Sequence, residues 1–362
     1  MRIAIERHEH DAPLETRLAC LARRVAVALV VAAGVAAAAG VAAAAEPDAG
    51  DAGSGKAGPA EPRAIEPGLS ELEEAFAAGD VDEIAARVDD RLFASLAGEV
   101  DSSERPFGTL PELQASLDGA TALLALCSGD EVVYALLVRP GDVVARKLDA
   151  PGLRVMAARL ERWATDADRW PYDSLAGVTL YRLLVSPLRS DLTGVRRVIV
   201  AAAGDVATIP FDALLTMETD ERDADTRPYV MRRYSITWES TLFSRLAWTN
   251  QRTGISRLEA FPAAADTEIA WDPGDLVVVQ AAFPDSRNAS AAALGLAVGD
   301  ARGALMLVGA PADEEAGIAP ETEPAARGGS DVRAVQAIRR ALMNAGEPPE
   351  TWARWRLYGC RD

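Results

Sequence analysis

Apolar positions recur at helical spacing over residues 69–98 and then give way to short apolar runs. Leu69, Leu72, Ala75 and Phe76 share one helical face, and Ile84, Val88, Leu92 and Leu96 share another. Gly79 and Asp80 interrupt the two runs, which predicts a helical hairpin. From about residue 107 strand-like and helix-like segments alternate. The runs 121–127 and 131–138, joined across Ser128 to Asp130, read as a β-hairpin, and 142–147 adds a third strand after Pro140 and Gly141. Amphipathic helices are expected at 151–165, with Leu153, Met156, Leu160 and Trp163 on one face, and at 173–185, with Leu175, Val178, Tyr181 and Leu184 or Val185.

The run at 195–202 is almost continuously apolar, as befits a strand covered on both faces. Further strands are expected at 234–238, 275–282, 303–309 and 354–358, and helices at 240–248, 289–298 and 331–344. Such alternation predicts an α/β fold with helices on both faces of a mixed sheet.

The N-terminal region carries a different pattern. Residues 25–45 are apolar or Gly throughout, follow Arg23 and Arg24, and precede the acidic stretch from Glu46 to Asp51. Ala43 and Ala45 supply the small-residue pattern of a signal-peptidase site, while 21 residues also suffice for an uncleaved membrane anchor. Residues 1–46 are therefore expected to be a signal peptide or N-terminal anchor, which puts the rest in the periplasm or on the extracytoplasmic face of the inner membrane. The Gly-, Ala-, Pro- and Asp-rich residues 47–67 predict a flexible linker, followed by a helical hairpin at 68–105 and a main domain at 106–362.

Composition narrows the chemistry. The 362 residues carry 37 Lys plus Arg against 55 Asp plus Glu, a net charge of −18 that repels phosphate backbones and argues against nucleic-acid binding. His8 and His10 are the only histidines. The body thus has no imidazole, which excludes Ser-His-Asp and Cys-His hydrolysis and His-ligated metal sites there. Cys20, Cys127 and Cys360 are widely spaced, with no metal-binding pattern, and one Cys127–Cys360 bridge is allowed outside the cytoplasm. No phosphate-loop or dinucleotide fingerprint is present, so no cofactor and no metal are expected.

Ordered segments resemble one known family. LPELQASLDGATALLALCSGDEVVYALLVRPGD is similar to the opening of a CHAT domain, from the bacterial branch of the caspase-like cysteine peptidase clan. TLYRLLVSPL, with Tyr181 and Pro187, resembles the family's leucine-tyrosine helix ending in Pro-Leu. RRVIVAAAGDVATIPFDALL resembles its strand, Gly turn and Pro-Phe-x-x-Leu segment, here Gly204, Pro210, Phe211 and Leu214. YSITWESTLFSRL places Ser240 at the family's serine. GDARGALMLVGAPADEEA is similar to the late strand, and PPETWARWRLYG, with Trp352, Ala353 and Gly359, to the closing segment. The resemblance spans about 108–362 and implies a caspase-like three-layer αβα sandwich with a central mixed, mostly parallel sheet, preceded by the helical hairpin.

The departures bear on activity. The family uses a His base and a Cys nucleophile at the ends of neighbouring strands. The resemblance places Ala282 at the nucleophile, and no His lies between Ser240 and Leu276. Ala202 and Ala203 replace a Pro-Asp before Gly204, Gly309 replaces a Trp, and the acidic loop 318–329 replaces helical sequence.

The resemblance thus implies a catalytically inactive relative with no catalytic residue, retaining a groove at the carboxyl ends of its strands for a protein or peptide partner. The alternative is a hydrolase with a non-standard nucleophile, for which Cys127, Cys360, Asp212 and Asp275 are candidates. Cys127 otherwise reads as a small core residue, and the two Asp residues as turn or solvated-edge positions. Arg245 and Arg287 are candidates to meet an acidic partner group at the groove, and are otherwise solvated. Tyr181, Pro187, Phe211 and Trp352 read as core and turn positions.

Overall fold

A computed structural model describes residues 68–96, 105–165, 172–219 and 226–248, with 255–258, 276–283, 293–294, 303–308, 339–340, 343, 353 and 355–359. The N-terminal apolar segment, the linker, Cys20, Asp275, Arg287, the loop 318–329, Trp352 and Cys360 lie outside the described residues. So do most of the expected helices at 289–298 and 331–344.

The hairpin forms where the pattern breaks. Helix α1 (Leu69–Ala78) ends at Gly79, whose N–H still reaches Ala75 O while its left-handed φ of 75° turns the chain out of the helix. Helix α2 (Val81–Ala94) begins on Asp80, whose carboxylate accepts from the amides of Asp82 and Glu83 at 3.0 and 3.3 Å. Asp82 and Glu83 add negative charge to the first turn, matching the helix dipole. Asp80→Ala is expected to cost about 1 kcal/mol, read as a lower urea midpoint at unchanged slope.

A short third helix, α3 (Leu110–Ala115), was not expected. Thr109 and Glu112 form a reciprocal capping box, with Glu112 accepting from Thr109 N at 2.9 Å.

Next come β1 (Thr121–Ser128), β2 (Val132–Arg139), β3 (Asp142–Asp149), α4 (Leu153–Thr165) and α5 (Ser174–Leu184). These are followed by β4 (Arg197–Ala203), β5 (Ser235–Glu239), α6 (Ser244–Ala247), β6 (Ile255–Leu258), β7 (Leu276–Phe283), β8 (Gly303–Val308) and β9 (Trp355–Tyr358). Among the described residues nine strands form one mixed sheet in the order β3-β2-β1-β4-β5-β9-β8-β7-β6. Five neighbouring pairs are parallel, and β1–β2, β2–β3 and β8–β9 are antiparallel.

Helices cover both faces of β1, β2 and β4, and the side-chain alternation of the strands divides the core. Leu123, Ala125, Cys127, Leu136, Ile199 and Ala201 meet Leu72, Ile84, Val88 and Leu92 of the hairpin and Leu113 of α3. Ala122, Leu124, Leu126, Ala135, Val198 and Val200 meet Leu153, Leu160 and Trp163 of α4 and Val178, Tyr181 and Leu184 of α5. Burial on both faces explains the unbroken apolar runs of these strands. The hairpin is thus one outer layer of the α/β sandwich. Strand β3, beyond β2, is guarded by charge, with Arg146 on Asp191 at 2.9 Å and Lys147 on Glu73 at 2.5 Å.

Two local expectations differ from the fold. Strand β6 was not foreseen, because ISRL is too short to show a period. The helix expected at 240–248 is reduced to the four residues of α6. Its first half is a turn, in which the side chains of Thr241 and Ser244 bind each other's amides at 3.1 and 3.2 Å and compete with helical bonding.

Candidate functional site

Strand direction decides which expected residues meet. β1, β4, β5 and β9 run the same way, so Ser128, Gly204, Ser240 and Gly359 gather at one edge of the sheet. β8 is antiparallel to β9, and β7 and β6 follow β8. The carboxyl end of β7, where Ala282 is the penultimate residue, therefore lies at the opposite edge. β7 lies between β8 and β6, second from that end of the sheet.

The carboxyl ends of the paired strands β1 and β4 are tied together by a serine. Ser128 Oγ accepts from the amide of Asp205 at 2.8 Å and donates to Ala203 O at 3.3 Å. Gly204 has a φ of 76°, and a Cβ there would overlap Ser128 Oγ, so both conformation and space demand glycine.

The turn after β5 holds a buried polar network. The Glu239 carboxylate accepts from Ser244 Oγ and from Trp248 Nε1, both at 2.9 Å, and Arg245 Nη1 lies 3.9 Å from its other oxygen. Ser244 and Glu239 are a hydroxyl and a carboxylate in contact, the raw material of a nucleophile and base. Ser244 is fully buried, however, and its Oγ also accepts from Thr241 N and lies 3.0 Å from Thr241 O. Its present role is to hold the turn. Ser240 is likewise buried. Arg245, read from sequence as a candidate groove cation or a solvated one, is 4% exposed. The carboxylate of Glu239 beside it compensates its charge and so permits the burial.

The same turn is tied to the hairpin. Asp89 of α2, 1% exposed, accepts from Leu242 N at 2.8 Å and from Arg105 Nε at 3.0 Å. Burial pushes its carboxyl above the usual range, against the pull of Arg105.

A second buried group lies on the α4–α5 side of the sheet. Asp212, within the Pro210–Phe211 segment, is bound by both terminal nitrogens of Arg339 at 3.1 Å. Asp212 does lie in a turn, the 3₁₀ segment Phe211–Ala213, but it is not a solvated aspartate, since both partners are nearly inaccessible to solvent. The bidentate guanidinium permits this by satisfying both carboxylate oxygens. Arg356 of β9 stacks on the Trp238 ring, 3.7 Å from its centroid, and donates to Ala207 O at 2.8 Å. Phe211 meets Trp238 edge-on, with ring centroids 5.7 Å apart.

The remaining motif positions are mostly structural. Tyr181, Pro210 and Phe211 are buried, while Pro187 is exposed in a short 3₁₀ turn (Ser186–Leu188). Cys127 is buried under α2, with Sγ 3.9 Å from Val88 O, and burial pushes its thiol up to about 12. So little thiolate exists near neutral pH that native Cys127 is expected to resist iodoacetamide. Peptide mapping should show it labelled only in denaturant, and rapid native labelling would contradict the burial.

Among the described residues no cluster of His, Cys, Asp and Glu could hold a metal ion, and no helix is long and apolar enough to cross a membrane. No known family model matches the chain, and no curated protein matches it.

Proposed function

We propose that this chain is a catalytically silent, CHAT-like domain that acts by binding a protein or peptide partner, either exported or held at the membrane by its N-terminal segment. The observation that carries the silent reading is the state of Cys127: it is sealed in the core with its thiol held protonated, in a body without histidine. A cysteine peptidase needs a thiolate within reach of a base and a substrate. Cys127 meets neither requirement, and the buried Ser244–Glu239 pair is closed to substrate by its own turn.

The binding part of the proposal rests on architecture. Ligands of open α/β sheets settle beyond the carboxyl ends of the strands, where loops are free to vary while the sheet stays rigid. Here that edge carries Ser128, Gly204, Ser240 and Gly359, on a sheet packed from both sides.

The test is a survey of the purified chain against a diverse peptide library, for cleavage and for binding, with and without prior alkylation. The expected result is no turnover and saturable retention of a subset of peptides. Retention should be lost on charge reversal at Asp205 but not on the far side of the sheet. Turnover abolished by alkylation would overturn the silent reading. Turnover that survives alkylation but is lost in Ser244→Ala would assign a serine hydrolase instead.

A further inference from the structure

We propose that Arg356 and Trp238 form the seat of a small oxyanion, the carboxylate or phosphoryl group of a ligand, beneath the turn that follows β4. Trp238 Nε1 and Arg356 Nη1 are both buried, and among the described residues neither has a hydrogen-bond acceptor. They belong to stacked side chains, since the Arg356 guanidinium lies 3.7 Å from the Trp238 ring centroid. Arg356 itself is 4% exposed.

Two orphaned donors on stacked side chains are costly, because each has lost its water without gaining an acceptor. The charge balance points the same way. Among the described residues one carboxylate, Asp212, acts on both the Arg339 and the Arg356 guanidiniums, and Arg339 takes both of its oxygens. Among the described residues positive charge is therefore in excess at this cluster, whichever protonation state Asp212 holds. Burial drives the Arg356 guanidinium below its usual range, against the pull of Tyr358 and Asp212. An oxyanion would accept from Nη1 and Nε1 together and neutralise the excess.

Access is short. Arg356 Nη2 already reaches Ala207 O in the 3₁₀ turn Gly204–Thr208, and Gly204, Asp205, Ala207 and Thr208 of that turn are partly open to solvent. The seat thus lies just under the carboxyl edge of β4. It stands on these contacts alone, independently of the partner-binding proposal above.

The probes are sodium phosphate and sodium acetate at low millimolar concentration, compared with chloride at equal ionic strength on the full chain. Thermal unfolding and calorimetric titration are the readouts. One of the two anions should raise the unfolding midpoint saturably, as mass action requires of a site and as general salt effects do not. A response to phosphate alone would identify a phosphoryl ligand, and a response to acetate a carboxylate. Arg356→Gln and Trp238→Phe should each bind roughly tenfold more weakly or worse, the loss expected for one charge-assisted hydrogen bond. Trp238→Phe keeps the ring in place and so tests the site even if the arginine variant folds poorly. No saturable shift with either anion, or a shift undiminished in Trp238→Phe, overturns the proposal.

Discussion

Gly359→Ala is expected to lower the unfolding free energy by about 4 kcal/mol, from a forbidden backbone conformation and an unyielding neighbour acting together. Gly359 closes β9 with a φ of 72°, a region that non-glycine residues enter only at a cost. An added Cβ would also run into the indole of Trp248. That ring cannot step aside, because it is 2% exposed and its Nε1 is held by Glu239 at 2.9 Å. Urea unfolding should show a lower midpoint at unchanged slope. Pairing the variant with Trp248→Leu should give less than the sum of the two single losses, because the smaller side chain relieves the overlap. If Gly359→Ala costs no more than about 1 kcal/mol, the indole yields and the contact is not a constraint.

Asp212→Ala is expected to cost about 3–5 kcal/mol, since it strands the buried guanidinium of Arg339 without its carboxylate. The comparison that isolates the cause is the double replacement Asp212→Leu with Arg339→Met. Removing both charges should recover most of the loss, because apolar residues of similar volume can substitute for a buried pair with little net change. A double variant as unstable as Asp212→Ala would mean that the pair holds the fold by packing and not by charge compensation. Denaturant midpoints of the four proteins complete the cycle.

The hairpin was legible because each of its signals is local. Gly79 and Asp80 end one helix and begin the next by their own backbone and side-chain chemistry, within three or four residues. The strands of the two-sided sheet were legible for a similar reason, since burial on both faces writes an unbroken apolar run into each. The capping box at Thr109 and Glu112 was equally local and went unread, hidden beside Pro111 in a stretch too short for a period. The turn at 240–244 misled in the opposite direction. Its apolar spacing suits a helix, but Glu239, Thr241 and Ser244 bind one another and stop it forming.

What the chain alone determined is the α/β class, the two-helix layer before the sheet and the absence of imidazole from the body, all properties of composition or of periods spanning a few residues. Tertiary structure alone decided the rest. It turned β6, β7 and β8 together against β9, so that Ala282 lies at the edge away from Gly204, Ser240 and Gly359. It also joined Asp212 to Arg339 across 127 residues and laid Arg356 on Trp238. Periodicity reports which side of an element is buried, and it carries no record of which distant element does the burying. The charges in this core are set by partners far along the chain, and only the folded geometry shows which donors still lack an acceptor.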